Sequence, residues 1–285
     1  MKTEIANRIL ALRAEMKKAG VDAVIIPQTD PHQSEYLAAH WQVRRWLSGF
    51  TGSAGDLVVT ADDALLWTDS RYFLQAARQL EDTDIKLMKD GLPDTPSINH
   101  YLTHTLKKGA KVGIDGALFN LGTVCALRGV LEKRGMTLAT DFDATDTIWE
   151  DRPDLPEAMV FVHDVKYAGE TAASKIAKIL AEAAEQGANA TLVSALDEIA
   201  WTLNIRSRDV NCNPVATAFL YLSAKGSILF IKPEKIDDTT AAYLRESEVS
   251  VLPYSEVYSH MSSLPADTLV LVAVSYTHLR AHETG

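Results

Sequence analysis

Apolar residues at Ile5, Ile9, Leu12 and Met16 fall on one face of a 3.6-residue period, with charged residues between them. That pattern predicts an amphipathic first helix rather than a signal peptide, and Gly20 is placed to end it. Ala23–Ile26 then reads as a short buried strand stopped by Pro27, and Gln33–Ala39 as a helix. Leu57–Thr60 and Ala64–Thr68 read as two strands around the turn Ala61-Asp62-Asp63. Tyr72–Gln79 reads as a helix with Ser70 as its N-cap. Ile85–Met88 follows as a strand, Ile98–Leu106 as a helix, Lys111–Asp115 as a strand, Leu121–Arg134 as a helix and Met136–Ala139 as a strand.

Residues 141–158, DFDATDTIWEDRPDLPEA, break this alternation. They are acidic, carry Pro153 and Pro156 and have no clear period, so they read as a linker. The same order then begins again. Glu170–Gln186 is a predicted helix, Ala190–Val193 a strand and Leu196–Leu203 a helix. Phe219–Ser223 and Ser227–Ile231 form a second hairpin, around Ala224-Lys225-Gly226. Asp237–Glu246 is a helix, Val249–Leu252 a strand, Val257–Met261 a helix and Thr268–Ala273 a strand. The halves share pattern rather than letters. They imply an α/β fold of two units, each a mixed β-sheet covered by helices. The expected domains are residues 1–151 and 152–273.

The second copy reaches the strand matching Lys111–Asp115 and then reads VSYTHLRAHETG, which has no apolar period. That tail resembles the translation, in one reading frame, of a transposase adaptor used in preparing sequencing libraries. Residues 274–285 are therefore set aside as an artefact of fusion. Without a last helix and strand, the second unit is expected to be incomplete and less resistant to proteolysis than the first.

Composition narrows the function classes. A chain of 285 residues with 47% hydrophobic content supports two cores, and no apolar run approaches the ~20 residues of a membrane span. The net charge of −10 argues against nucleic acid. Cys125 and Cys212 lie far apart in sequence and are expected to be free, buried thiols in a reducing cytoplasm.

The candidate chemistry is thin. His100 and His104 have the i,i+4 spacing of zinc ligands, but Tyr101 stands where the HExxH motif has Glu, so they read as surface histidines. His278 and His282 share that spacing inside the suspected adaptor. Gly52-Ser53-Ala54-Gly55 lacks the glycine two residues before the serine that a nucleophile elbow needs, and no Gly-Lys-Ser/Thr follows as in a P-loop. Its glycines instead suit a tight backbone approach. Asp62-Asp63 reads as a turn, Asp141, Asp143 and Asp146 as linker, and Asp237-Asp238 as a negative helix start. Arg44 and Arg45, beside Trp46, suit either a carboxylate partner or a buried salt bridge. A cap and a local ion pair account for Asp69-Ser70-Arg71-Tyr72. None of these makes a hydrolytic site.

Residues 30–80 are the densest run of aromatic, Arg and Gly residues in the chain, and they hold the most specific motifs. HQSEY (His32–Tyr36), SGFTGSAG (Ser48–Gly55), WTDSRYFLQAA (Trp67–Ala77) and DGLPDTPS (Asp90–Ser97) come first. IWEDRPDLP (Ile148–Pro156) and ALDEIAWTLNIRSRDVNCNPV (Ala195–Val215) follow in order. Together they resemble the two N-terminal domains of long-form, three-domain aminopeptidase P, the Xaa-Pro aminopeptidase of the creatinase group. The resemblance implies two creatinase N-terminal-like domains that shape a substrate cleft and mediate homodimer contacts. It implies a cytoplasmic parent enzyme that removes the residue before proline from Xaa-Pro peptides. That enzyme uses two divalent metal ions, usually manganese, in a C-terminal pita-bread domain. Its ligands, two Asp, one His and two Glu, match no motif here. No residue of this sequence is therefore assigned as catalytic, cofactor-binding or metal-binding, and the chain alone is expected to be inactive. Two rival readings stay open: a non-enzymatic binding module, as in a creatinase-like histone chaperone subunit, and a prolidase or creatinase relative. The tandem N-terminal arrangement favours aminopeptidase P, because the N-terminal part of those relatives is a single domain.

Overall fold

A computed structural model describes residues 2–272. The suspected adaptor, with His278 and His282, lies outside them. The described chain divides into two compact units, residues 2–30 with 39–154 and residues 31–38 with 155–272.

The first unit runs α1 (Lys2–Ala19), β1 (Ala23–Ile26), α2 (Val43–Ser48), β2 (Asp56–Thr60), β3 (Ala64–Thr68), α3 (Phe73–Gln79) and β4 (Ile85–Lys89). It continues with α4 (Ile98–Thr105), β5 (Lys111–Gly113), α5 (Leu121–Glu132), β6 (Thr137–Ala139) and α6 (Thr145–Ile148). The strand order is β4-β3-β2-β1-β5-β6. The pairs β1–β2 and β2–β3 are antiparallel, whereas β3–β4, β1–β5 and β5–β6 are parallel. Alternation along the strands then separates two cores. Val24, Ile26, Leu57, Val59 and Leu66 meet Ile5, Ile9, Leu12 and Met16 of α1 on one face. Ala23, Ile25, Val58, Leu65 and Trp67 meet Leu102 of α4 and Val124, Leu127 and Leu131 of α5 on the other. The α1 stripe is buried throughout, and each such side chain contributes about 1.5–3 kcal/mol.

The second unit runs β7 (Phe161–Val162), α7 (Val165–Ala168), α8 (Ala172–Glu185), β8 (Ala190–Val193), α9 (Leu196–Leu203), β9 (Ile205–Arg206) and β10 (Phe219–Ser223). It continues with β11 (Ser227–Phe230), α10 (Asp238–Glu246), β12 (Val249–Leu252), α11 (Val257–Ser262) and β13 (Val270–Val272). Its main sheet has the order β12-β11-β10-β8-β13 among the described residues. The pairing senses repeat those of the first unit. β8–β10 and β10–β11 are antiparallel, and β11–β12 and β8–β13 parallel. β8 thus corresponds to β1 and β13 to β5, so the repeat read from the hydrophobic pattern is a repeat of topology. Leu220, Leu222, Leu229 and Ile231 pack beneath Ile176, Ile199, Leu203 and Leu244.

Four expectations need correction. Gln33–Ala39 is not a helix: Gln33 has φ +54°, a left-handed conformation that a helix excludes, and a 3-10 turn at Ala39–Trp41 leads into α2 instead. Ser70 does not cap α3; Tyr72 holds the N-cap position without a side-chain bond, and the Asp69 carboxylate accepts from the Arg71 N–H. Residues 141–149 are not free linker. Thr145–Ile148 form α6, and Phe142, Ala144, Ile148 and Trp149 join the first core, with Trp149 stacked on Trp46 at 4.9 Å. Cys125 and Cys212 are free but exposed.

Candidate functional site

Arg44 on α2 organises the most motif-rich stretch. Val43, Arg44, Leu47 and Ser48 are the buried face of α2, and Arg44 itself is only 1% exposed. The helix ends on Gly49, whose φ of +72° lets its N–H return to the Arg45 carbonyl. The chain then wraps around the guanidinium. Nη1 donates to the Phe50 carbonyl at 2.8 Å and Nη2 to the Gly52 carbonyl at 2.5 Å, while the charge lies 4.6 Å from the centre of the Phe50 ring. Burial lowers the Arg44 pKa to about 10, opposed by the nearby Asp56 carboxylate. Arg44 is thus charged at neutral pH and serves as a clamp on its own loop through those two carbonyls. Burial also raises the Asp56 pKa, against the Gln28 backbone N–H and Arg44, which favour its charged form.

The SGFTGSAG and WTDSRYF motifs are stitched together. Thr68 Oγ1 donates to the Ala54 carbonyl at 2.7 Å, and Tyr72 Oη lies 2.8 Å from Ser53 Oγ. Gly55 has φ +141°, and a Cβ there would stand 2.5 Å from the Trp67 carbonyl oxygen, so only glycine fits. Asp69 holds Arg71 bidentately at 2.9 and 2.7 Å, and Arg71 in turn lowers the Asp69 pKa. Between these motifs and the start of α4 lies an open cavity of about 370 Å³, lined by Asp56, Asp69, Asp90, Thr68, Ser97 and Asn99 among others. It is acidic and accepts hydrogen bonds or positive charge. Ser53, in the adjoining loop, bonds a tyrosine rather than a base, so its hydroxyl is not set up as a nucleophile.

The remaining candidate residues do not converge on it. Asp63 closes the β2–β3 turn, and its carboxylate pairs with Lys86 at 2.5 Å and accepts from Tyr101 Oη at 2.9 Å. The Lys86 bond lowers the Asp63 pKa, while burial and then Asp63 push Tyr101 up to about 12. Asp143 accepts from the Thr145 N–H, and Asp146 pairs with Arg152 at 2.6 Å. Asp237 caps α10 through the Thr240 N–H, which lowers its pKa. His100 and His104 stand exposed on α4.

Three buried polar clusters carry residues that the sequence reading passed over. In the second unit His32, 1% exposed, donates from Nδ1 to the Ser194 carbonyl at 2.8 Å, and its Nε2 lies 2.9 Å from Tyr254 Oη. Asp209 and Lys235 form an ion pair with both side chains buried, and Asp209 also accepts from the Thr217 N–H at 2.6 Å and Ser207 Oγ at 3.1 Å. Burial lowers the Lys235 pKa and Asp209 opposes it. Lys175 donates to the Trp201 carbonyl at 2.8 Å and to Asn204 Oδ1 at 2.7 Å, fastening the end of α9. The only signals in the sequence were that His32, Asp209 and Asn204 sit inside family-like motifs. Among the described residues no three His, Cys, Asp or Glu side chains converge as a metal site.

Comparison with known proteins fits these motifs. The creatinase/prolidase N-terminal domain family matches residues 8–152 and, through a second family of the same description, residues 151–284. A probable Xaa-Pro aminopeptidase P of Coprinopsis cinerea is 38% identical over 92% of this chain, and aminopeptidase P2 of Arabidopsis thaliana 40% identical over 87%. This chain spans only 42% and 35% of those two relatives. The crystal structure of X-prolyl aminopeptidase from Caenorhabditis elegans, described as a cytosolic enzyme with a di-nuclear active site, superposes with a TM-score of 0.86 at 34% identity. That match covers 90% of this chain and 44% of the enzyme. The tandem units, their repeated sheet order and the motifs that knit each one together agree with these matches: the chain belongs to the creatinase/prolidase N-terminal domain family.

Proposed function

We propose that the chain is the N-terminal two-domain scaffold of a cytoplasmic Xaa-Pro aminopeptidase, which hydrolyses the bond between an N-terminal residue and proline. The observation that carries this reading is the likeness to the Caenorhabditis elegans enzyme, which extends through both units at a TM-score of 0.86. A single shared domain would not produce it. The scaffold shapes the substrate cleft and contributes to a homodimer. The two divalent metal ions of the whole enzyme, manganese on this reading, would polarise the scissile carbonyl and activate water. The residues of this chain do not fit that group. The acidic cavity offers Asp56, Asp69 and Asp90, but the described residues bring no three metal-ligating side chains together. No hydrolytic step is therefore assigned to them. The domains are proposed to divide near residues 151–152.

A chimera tests the reading. This chain, substituted for the matching 44% of the Caenorhabditis elegans enzyme, should give a protein that releases the first residue of an Xaa-Pro peptide with manganese present. A chimera that folds and binds manganese but leaves the peptide intact would overturn it.

A further inference from the structure

We propose that Asp90–Gly91 is a site of spontaneous modification, where the fold lets aspartate rearrange through a succinimide to isoaspartate while it protects the chain's other Asp-Gly pair, Asp115–Gly116. The site is independent of the peptidase reading. The reaction is internal to the chain. The Gly91 amide nitrogen attacks Asp90 Cγ, and the N–Cγ bond forms. The Cγ–O bond of the protonated carboxyl breaks, and its hydroxyl leaves with the amide proton as water. Water then re-enters at either ring carbonyl. Opening at Cγ restores aspartate. Opening at the main-chain carbonyl routes the chain through the Asp90 methylene, giving isoaspartate with a free α-carboxylate. Glycine favours the attack because no side chain crowds its nitrogen.

The two pairs share their letters and differ in their surroundings. Asp90 and Gly91 are exposed in the turn after β4, closed by the Leu92 N–H on the Lys89 carbonyl at 3.2 Å. The Gly91 N–H donates to Asp90 Oδ1 at 3.0 Å. That bond aims the nitrogen, and the in-plane lone pair left when its proton departs, at the carboxyl to be attacked. Cγ, one bond from Oδ1, is held close to the roughly 3–3.5 Å of a near-attack arrangement. Gly91 has φ +84°, and a Cβ there would meet nothing within 4 Å, so the peptide planes have room to turn as the ring closes. Gly116, in contrast, is buried in a 3-10 turn. Its N–H donates to the Thr140 carbonyl at 2.9 Å, and a Cβ there would stand 2.7 Å from the same oxygen. Asp115 Oδ1 accepts from the Ala117 N–H at 3.0 Å. Nitrogen and carboxyl are thus each bonded elsewhere, and ring closure would break both bonds. Asp90 also lines the acidic cavity, so its rearrangement lengthens the β4–α4 connection by one main-chain atom at that rim.

Asp115–Gly116 supplies the internal control. The 285-residue chain is aged for several weeks at neutral pH and body temperature, then unfolded and digested beside fresh protein with endoproteinase Asp-N, which cuts before aspartate and not before isoaspartate. Residues 84–93 should accumulate as one uncut peptide, and its electron-transfer fragmentation should report the isoaspartyl linkage, while cleavage before Asp115 stays complete. Isoaspartate at Asp90 should exceed that at Asp115 at least tenfold. A chain aged in guanidinium chloride should rearrange at both pairs at similar rates, because the discrimination lies in the fold. No isoaspartate at Asp90, equal amounts at the two pairs of the folded chain, or the same bias in guanidinium chloride would overturn the proposal.

Discussion

Replacing Arg44 by methionine tests how the motif-rich loop is held. The substitution keeps an unbranched apolar stem but removes the charge and the two bonds to the Phe50 and Gly52 carbonyls. Hydrogen bonds to a charged donor contribute about 1.5–3 kcal/mol each, and a buried acceptor left unpaired costs about 1–3 kcal/mol. Against that, the variant no longer buries a charge. Arg44 Nε is already buried without a partner, so the wild type does not draw the full value of the guanidinium. The expected net loss is about 3 kcal/mol, a fall of roughly 6–12 °C in the midpoint of a unit this size. Trp41, Trp46, Trp67 and Trp149 lie in the first unit and Trp201 in the second. Fluorescence in a Trp201→Phe background therefore reports the first unit alone. Arg44→Lys should recover little, because an ammonium cannot reach two carbonyls with the fixed fork of a guanidinium. A loss below about 1 kcal/mol for methionine, or lysine behaving as wild type, would refute the clamp.

Three further perturbations have signs fixed by the structure. Asp209→Leu or Lys235→Met alone should cost about 3–5 kcal/mol by stranding a buried charge, and the double variant less than the sum; additive losses in urea titrations would contradict the pairing. Gly55→Ala should destabilise more than Gly109→Ala, since both have positive φ but only the former meets a backbone oxygen; equal midpoints would argue against the close approach. His40 has its pKa lowered by burial, although the Pro153 carbonyl accepts its Nδ1 proton. The unfolded chain therefore takes up that proton first as pH falls below about 6.5. The stability His40 contributes is complete above that value and is lost as pH falls towards the folded pKa. His40→Gln should flatten the dependence of the urea midpoint between pH 7.5 and 5.5, and an unaltered slope would assign the dependence elsewhere.

Hydrophobic period made the elements legible where a face is buried for several residues. β1, β3, β8, α9, β10 and β12 fall where the alternation places them, because one-sided or complete burial writes itself into consecutive positions. It failed at Gln33, where a left-handed residue and a buried histidine fix the path, and at Trp149, which reaches the core from a segment too short to show a period. The buried polar groups were least legible. Arg44 finds its carbonyls six and eight residues on, Asp209 finds Lys235 26 residues away, and His32 finds Tyr254 222 residues away. A sequence pattern reports which way a side chain faces, not what it meets there. Exposure of Cys125 was hidden for a related reason: it stands next to the buried Val124 on the turning face of α5.

The most direct measurement is of the chain by itself. Purified 285-residue protein, supplied with manganese and an Xaa-Pro peptide, is monitored for released amino acid. The account predicts none above the metal-only control, because on the proposed reading these two units are scaffold, and their described residues bring no metal-ligating group together. Turnover that rises in proportion to the amount of this chain, and survives repurification, would contradict it.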